Sequence, residues 1–284
     1  MTSPASGTDA QPSPLSATND SLLGRYLWYD HMTTDESAAR AFYTTVVGWT
    51  TTPFEMGPGA PAYTMWTNAA GAPIGGVMRM PEQESAAGVP AHWLSYVGTP
   101  DVDATVAEAE RLGASTHVPP TDIPTVGRFA VLTDPQGAYF ALFTPSNAPG
   151  PMPAEPGLGD VSWHELYTTD LDAAFDFYRQ LLGWSEASTM DMGPEHGRYL
   201  MYGRGGQHMY GGMMKRPTEE IPPMWTLYFR VPDVDAAVAT VKEQGGQVLT
   251  GPMEVPGGDR VAICRDPQGG AFGVHQRVSQ PSAS

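Results

Sequence analysis

The chain has 284 residues, and its 31 acidic against 15 basic side chains give a formal net charge of −16. That length accommodates two ordinary domains or one large one, and the acidity disfavours a phosphate backbone, which needs clustered Lys and Arg; no nucleic-acid partner is expected. A single cysteine, Cys264, precludes an intrachain disulfide or a cysteine metal cluster and suits a reducing cytoplasm, and with no stretch near 18 apolar residues no membrane partner is expected either.

Residues 1–22 are rich in Ser, Pro, Ala and Thr and hold no basic or apolar leader-like region. They cannot bury enough apolar surface to offset ordering, so a disordered tail is expected, and residues 279–284 read likewise. A short aromatic strand, Tyr26 to Met32, precedes Asp35, which can cap a helix whose apolar positions Ala38, Phe42 and Val46 recur at helical spacing and which Gly48 should end. A second strand, His92 to Val97, leads to Asp101 and a helix ending at Gly113, and the segment closes on a hairpin over Asp134-Pro-Gln-Gly137.

The same series then recurs. Trp28-Tyr-Asp-His-Met-Thr-Thr-Asp35 is matched by Trp163-His-Glu-Leu-Tyr-Thr-Thr-Asp170, and Phe42-Tyr43 with Gly48-Trp49 by Phe177-Tyr178 with Gly183-Trp184, all offset by 135. Gly75-Gly76 is matched by Gly211-Gly212, and Arg128 with Asp134-Pro-Gln-Gly137 by Arg260 with Asp266-Pro-Gln-Gly269. Residues 146–160, rich in Pro and Gly, read as the linker between domains at 23–145 and 161–278. Each copy contains two strand-helix-strands units, so the pattern occurs four times and the fold class is α+β.

A strand running into Asp-x-x-x-Ala-x-x-Phe-Tyr-x-x-x-x-Gly-Trp, a later Trp-x-x-Tyr strand before Asp-Val-Asp-Ala, and a terminal Asp-Pro-x-Gly hairpin together resemble the vicinal-oxygen-chelate superfamily of glyoxalases, bleomycin resistance proteins and extradiol dioxygenases. The resemblance covers most of the chain. It implies two tandem domains, each of two βαβββ units closing into a cup-shaped sheet. Active relatives hold a divalent metal in the cup; transferred to this sequence, the ligand positions are Trp28, Leu94 and Ala141 in the first copy and Trp163, Thr226 and Gly273 in the second. None is a good ligand for a site that wants about three His nitrogens or carboxylates. No cofactor is therefore expected, a divalent metal at an atypical site being the alternative.

Side chains of one parity should line one cup. In the first copy these include Trp28, Asp30, Tyr96 and Phe143; in the second, Trp163, Glu165, Thr226, Tyr228 and His275. Aromatic walls with one carboxylate suit a small apolar or aromatic ligand. Glu165 and His275 form a candidate proton-transfer pair, or each carboxylate is a structural hydrogen-bond acceptor for Tyr96 or Tyr228. Arg128 and Arg260 either clamp an anionic ligand or form structural salt bridges to Asp134 and Asp266. His31, His92 and His164 have the opposite parity and should face helices or an interface. Three functions remain open: a small-molecule binder; a lyase, isomerase or oxygenase; and a protein-interaction module. Either a monomer or a homodimer fits.

Overall fold

The computed structural model describes residues 22–55, 63–153, 155–194, 196–205 and 209–278. The expected tails fall outside these residues except for Leu22, which is buried. The first copy comprises β1 (Tyr26–Thr33), α1 (Glu36–Val46), β2 (Thr50–Phe54), β3 (Tyr63–Thr67), β4 (Pro73–Arg79), a short α2 (Glu82–Ala86), β5 (His92–Gly98), α3 (Val102–Arg111), β6 (Ser115–Ile123), β7 (Gly127–Thr133) and β8 (Tyr139–Pro145). The second comprises β9 (Val161–Thr168), α4 (Leu171–Leu182), β10 (Ser185–Asp191), β11 (Arg198–Gly203), β12 (Met209–Lys215), β13 (Met224–Arg230), α5 (Val234–Glu243), β14 (Gln247–Glu254), β15 (Arg260–Arg265) and β16 (Ala271–Gln276).

Each copy forms its own eight-stranded mixed sheet, in the order β2-β3-β4-β1-β5-β8-β7-β6 and β10-β11-β12-β9-β13-β16-β15-β14. The two units of a copy join where β1 runs antiparallel to β5, and β9 to β13. The four expected capping aspartates do cap. Asp35, Asp101, Asp170 and Asp233 each accept a hydrogen bond from a backbone N–H of the first helical turn. Helix α4 ends at Gly183 with φ +68°, a left-handed conformation that costs glycine little. In α1 the buried face is Ala39, Phe42, Tyr43 and Val46, one residue along from the expected Ala38.

The sheets are separate but the cores are shared. One core joins Val97, Val106, Leu132 and Phe140 of the first copy to Phe177, Leu181, Trp184 and Trp225 of the second. The other joins Phe42, Tyr43, Trp49 and Trp93 to Phe229, Val238, Val241 and Phe272. Each repeated motif is wired into the opposite copy. The Tyr43 hydroxyl donates to Asp266 Oδ2 at 2.9 Å, and the Tyr178 hydroxyl to Asp134 Oδ2 at 3.0 Å. Trp49 Nε1 donates to the Gly159 carbonyl at 2.7 Å, and Trp184 Nε1 to that of Gly24 at 2.8 Å. The helix-facing sides of both sheets are thus consumed by the contact between copies, and the opposite faces are left to form the cups.

Candidate functional site

The first cup is built around Asp30, 4% exposed on β1. Its register partner on β4 is Gly76. A Cβ there would overlap the Tyr63 ring, so the glycine lets that ring lie across the strand and reach the carboxylate. The Tyr63 hydroxyl donates to Asp30 Oδ1 at 2.6 Å, and Trp28 Nε1 donates to the same oxygen at 3.2 Å and to the Tyr63 hydroxyl at 2.5 Å. Tyr96 adds a further hydrogen bond. Burial pushes the Asp30 carboxyl up to about 6, even though Tyr63, Tyr96 and Trp28 all favour its charged form. Leu94, Tyr96 and Ala141 pack against Trp28, Phe129, Val131 and Phe143 to make the remaining wall.

The second cup repeats the device with a longer acid. Glu165 lies opposite Gly212, which clears the Tyr199 ring as Gly76 clears Tyr63. Glu165 Oε1 accepts from the hydroxyls of Tyr167 at 2.5 Å and Tyr228 at 3.0 Å, and Oε2 accepts from that of Tyr199 at 2.8 Å. Trp163 Nε1 donates to the Tyr199 hydroxyl at 2.7 Å. Gly273 lets the Tyr228 ring lie across β16, and Ala141 holds the matching position in the first copy. Thr226, register partner of Glu165, is 1% exposed. Burial and the neighbouring Glu165 charge hold the Tyr167, Tyr199 and Tyr228 hydroxyls above the ordinary phenol range.

Of the expected lining residues, the structure gathers Trp28, Asp30, Tyr96 and Phe143 in one cup and Trp163, Glu165, Thr226 and Tyr228 in the other. It does not join Glu165 to His275. His275 Nδ1 meets Ser162 Oγ at 2.8 Å, and its Nε2 meets Asp259 Oδ2 at 2.9 Å, while the hydroxyls on Glu165 are all tyrosine. Arg128 and Arg260 form ion pairs, but not with Asp134 or Asp266. Arg128 grips Asp103 through Nε at 2.7 Å and Nη2 at 3.0 Å, with Asp122 at 2.9 Å, and Arg260 grips Asp235 at 2.5 Å. The register places Phe129 on the cup side of β7, so Arg128 points to the other face and reaches the first turn of α3.

His31 and His164 face the contact between copies, as their parity requires. His31 Nε2 lies 2.9 Å from Asp266 Oδ2 with both side chains fully buried, whereas His92 Nδ1 meets the Pro90 carbonyl. Cys264 is buried, which pushes its thiol up to about 12 and suppresses the reactive thiolate. Tyr63 and Tyr199 are absent from the motif reading, whereas Tyr167 stands within the repeated Trp163 to Asp170 segment. Their signal was present in the shared glycine pairs, since a glycine inside a strand marks close approach of another group.

The metal positions implied by the resemblance carry Trp28, Leu94 and Ala141, and Trp163, Thr226 and Gly273, around one carboxylate per cup. Its oxygens already accept phenolic or indole hydrogens. Among the described residues no three His, Cys, Asp or Glu side chains converge as a metal site would need. This donor set does not fit the family's divalent ion. Among the same residues no helix is long and apolar enough to cross a membrane.

Comparison with known proteins follows the repeat. A family model described as the Glyoxalase/Bleomycin resistance protein/Dioxygenase superfamily matches residues 160–274, and one described as a glyoxalase-like domain matches residues 27–143. The chain is 34% identical over 253 residues to "Putative glyoxylase CFP32" of Mycobacterium tuberculosis, spanning 89% of this chain and 95% of that protein. It is 32% identical over 274 residues to the anthracycline biosynthesis protein DauV of Streptomyces sp. (strain C5), spanning 92% and 96%. Among solved structures, 2,2',3-trihydroxybiphenyl 1,2-dioxygenase from Sphingomonas wittichii strain RW1 superposes with a TM-score of 0.63 at 14% identity, over 90% of this chain and 91% of that one. The Mn(II)-bound glyoxalase from Novosphingobium aromaticivorans gives 0.60 at 16% identity, over 90% and 83%. At such identities the likeness is one of fold.

Proposed function

Because the chain belongs to the glyoxalase/bleomycin resistance protein/dioxygenase superfamily, we propose that it is a member that binds a small apolar or aromatic molecule in a cup without the metal triad of its relatives. The observation that carries this reading is the single buried carboxylate of each cup, held among phenol hydroxyls and an indole N–H. Apolar walls with a few fixed polar groups are the composition of a small-molecule site. The second cup is the stronger candidate because Glu165 and three tyrosine hydroxyls offer a phenol or carbonyl ligand both an acceptor and exchangeable donors. One relative is named for anthracycline biosynthesis, which makes planar polycyclic phenols the first class to test.

Tryptophan fluorescence and thermal midpoint, followed during titration with such compounds, test the reading on metal-stripped protein. Saturable binding is expected, with affinity about tenfold weaker in Glu165→Gln. No midpoint shift at high ligand concentration would count against the binder. One tightly held transition-metal ion per chain, required for binding, would count against the metal-free form. A second reading is supported by Asp30. A carboxyl near 6 with limited exposure is suited to general acid or base chemistry close to neutral pH.

A further inference from the structure

His275 is not part of the Glu165 cluster, and what surrounds it differs completely between the copies. Between Trp163, which pairs with Tyr228, and Val161, which pairs with Phe229, Ser162 is the extra residue of a β-bulge. A bulge re-aims a side chain, and here it turns the Ser162 hydroxyl to His275 Nδ1 at 2.8 Å. On its far side His275 Nε2 meets Asp259 Oδ2 at 2.9 Å, and Asp259 Oδ1 is fixed by the Val278 N–H at 2.9 Å. All three groups are half-buried; the side chains of His275 and Asp259 are 16% and 28% exposed. The first copy has the same bulge, between Tyr26 and Trp28, but aims Leu27 there. At the positions matching His275 and Asp259 it has Phe143 and Gly127. All three polar groups are therefore specific to the second copy, and the bulge geometry does not require them.

We propose that Ser162, His275 and Asp259 form a nucleophile, base and carboxylate triad at the rim of the second sheet that cleaves small aryl esters, independently of what the cup binds. Such a triad is recognised by contacts and roles rather than by sequence order or fold. With the Nε2–H given to Asp259, the Nδ1 lone pair faces the Ser162 hydroxyl, whose one proton is shared between Nδ1 at 2.8 Å and the more distant Tyr228 backbone carbonyl at 3.1 Å. Ser162 Oγ attacks the ester carbonyl carbon while His275 Nδ1 takes its proton. The tetrahedral intermediate collapses, the acyl C–O bond breaks, and the aryloxide leaves with the proton from His275. Water then attacks the acyl-serine with His275 again as base, releasing a carboxylic acid and restoring the serine.

Two further features support the assignment. Arg230 is the register partner of His275 on β13; its Nη1 donates to the Pro156 carbonyl at 2.9 Å, its buried Nε has no hydrogen-bond partner among the described residues, and its positive charge lies beside the site. The matching residue of the first copy is Gly98. Burial, with the charges of Arg230 and Arg277, outweighs Asp259 and lowers the His275 pKa, so the imidazole is neutral and able to accept a proton at pH 7. An aryl ester is the class assigned because an aryloxide is a good leaving group that a single imidazole can protonate as it departs.

The test treats full-length protein with an alkyl fluorophosphonate and maps the adduct by intact mass and peptide sequencing, with hydrolysis of p-nitrophenyl acetate followed in parallel. A single adduct on Ser162 is expected, with turnover falling to background in Ser162→Ala. Labelling should slow by about a hundredfold in His275→Gln and by a smaller factor in Asp259→Asn. Circular dichroism separates loss of chemistry from loss of fold. No adduct on the wild-type protein, or an adduct elsewhere, overturns the proposal whatever the variants do. So does labelling of Ser162 at an unchanged rate in a folded His275→Gln or Asp259→Asn protein.

Discussion

The Tyr29 hydroxyl lies 2.8 Å from His164 Nε2, and the two residues hold the same position in the two copies, 135 apart. Equivalent positions can touch only where the pseudo-twofold axis relating the copies passes between them. The axis thus runs between β1 and β9. His164 Nδ1 meets the Tyr210 carbonyl at 2.8 Å, an atom that can only accept, so Nδ1 carries the proton and Nε2 accepts from Tyr29. The Tyr26 ring stacks on the imidazole at a centroid distance of 3.6 Å. A neutral histidine is therefore sealed at the centre of the molecule.

Its titration should limit acid stability. Burial lowers the His164 pKa from 6.5 to about 3. The unfolded chain then binds more protons than the native one between those values, so stability is complete above about 6.5 and is lost as pH falls below it. The slope is at most about 1.4 kcal/mol per pH unit from this one group. His164→Phe, which keeps the stacked ring and removes the proton site, should flatten the acid limb of a urea-midpoint against pH curve. An unchanged limb would assign acid sensitivity to other groups.

The two Asp-Pro-Gln-Gly turns provide a natural comparison. Asp266 meets His31, whereas the position matching His31 in the second copy is Leu166, so among the described residues Asp134 has Tyr178 and backbone N–H groups as its hydrogen-bond donors. Burial raises both carboxyls. His31 and the remaining donors more than offset this at Asp266, which ends below its ordinary value, while Asp134 stays above. His31→Leu should therefore give Asp266 the behaviour of Asp134 and cost about 3 kcal/mol at pH 7, because removing one partner of a buried pair leaves the other uncompensated. The loss should begin to shrink as pH falls through the raised carboxyl of the variant, because Asp266 takes up a proton in that protein before it does in the wild type. Chemical denaturation at pH 7 and pH 4 measures both.

The motifs that were legible in the sequence are those that hold the copies together. Phe-Tyr, Gly-Trp and Asp-Pro-Gln-Gly recur because Tyr43, Tyr178, Trp49, Trp184, Asp134 and Asp266 each need a partner across the same interface. That is why they specify fold and say little about activity. Parity placed Asp30 and Glu165 inward because alternation along a central strand is regular. It did not supply Tyr63 and Tyr199, which arrive from strands whose register is set by pairing and not by a hydrophobic pattern. Nor did it supply the Ser162 contact to His275, because a bulge breaks the alternation on which parity rests.

Asp30 should titrate visibly. Its carboxyl stands at about 6 in the fold against 3.8 ordinarily, so the native state holds the extra proton and stability falls as pH rises through that interval. Carbon-13 NMR of aspartate-labelled protein should show one carboxyl with a midpoint near 6 that is missing in Asp30→Asn. Tyr63→Phe removes a hydrogen bond that favours the charged form and should move the midpoint higher. A midpoint that stays at the ordinary value in the wild-type protein would remove the basis for acid or base chemistry in the first cup.

The paired arginines offer a test of where ligands do not sit. Arg128 and Arg260 point to the first turns of α3 and α5, and their ion pairs with Asp103 and Asp235 are largely exposed. Exposed pairs contribute little to stability, and neither guanidinium reaches the carboxylate of a cup. Arg128→Ala and Arg260→Ala should leave both the thermal midpoint and the affinity for any cup ligand within error of wild type, while Tyr199→Phe should weaken a second-cup ligand by about tenfold. Tyr199 alone links the indole of Trp163 to Glu165 through its hydroxyl, so its loss frees two polar groups at once. Isothermal titration of the three variants with one phenolic ligand decides the matter: an arginine variant that loses affinity as Tyr199→Phe does would relocate the site from the cup to the sheet rim.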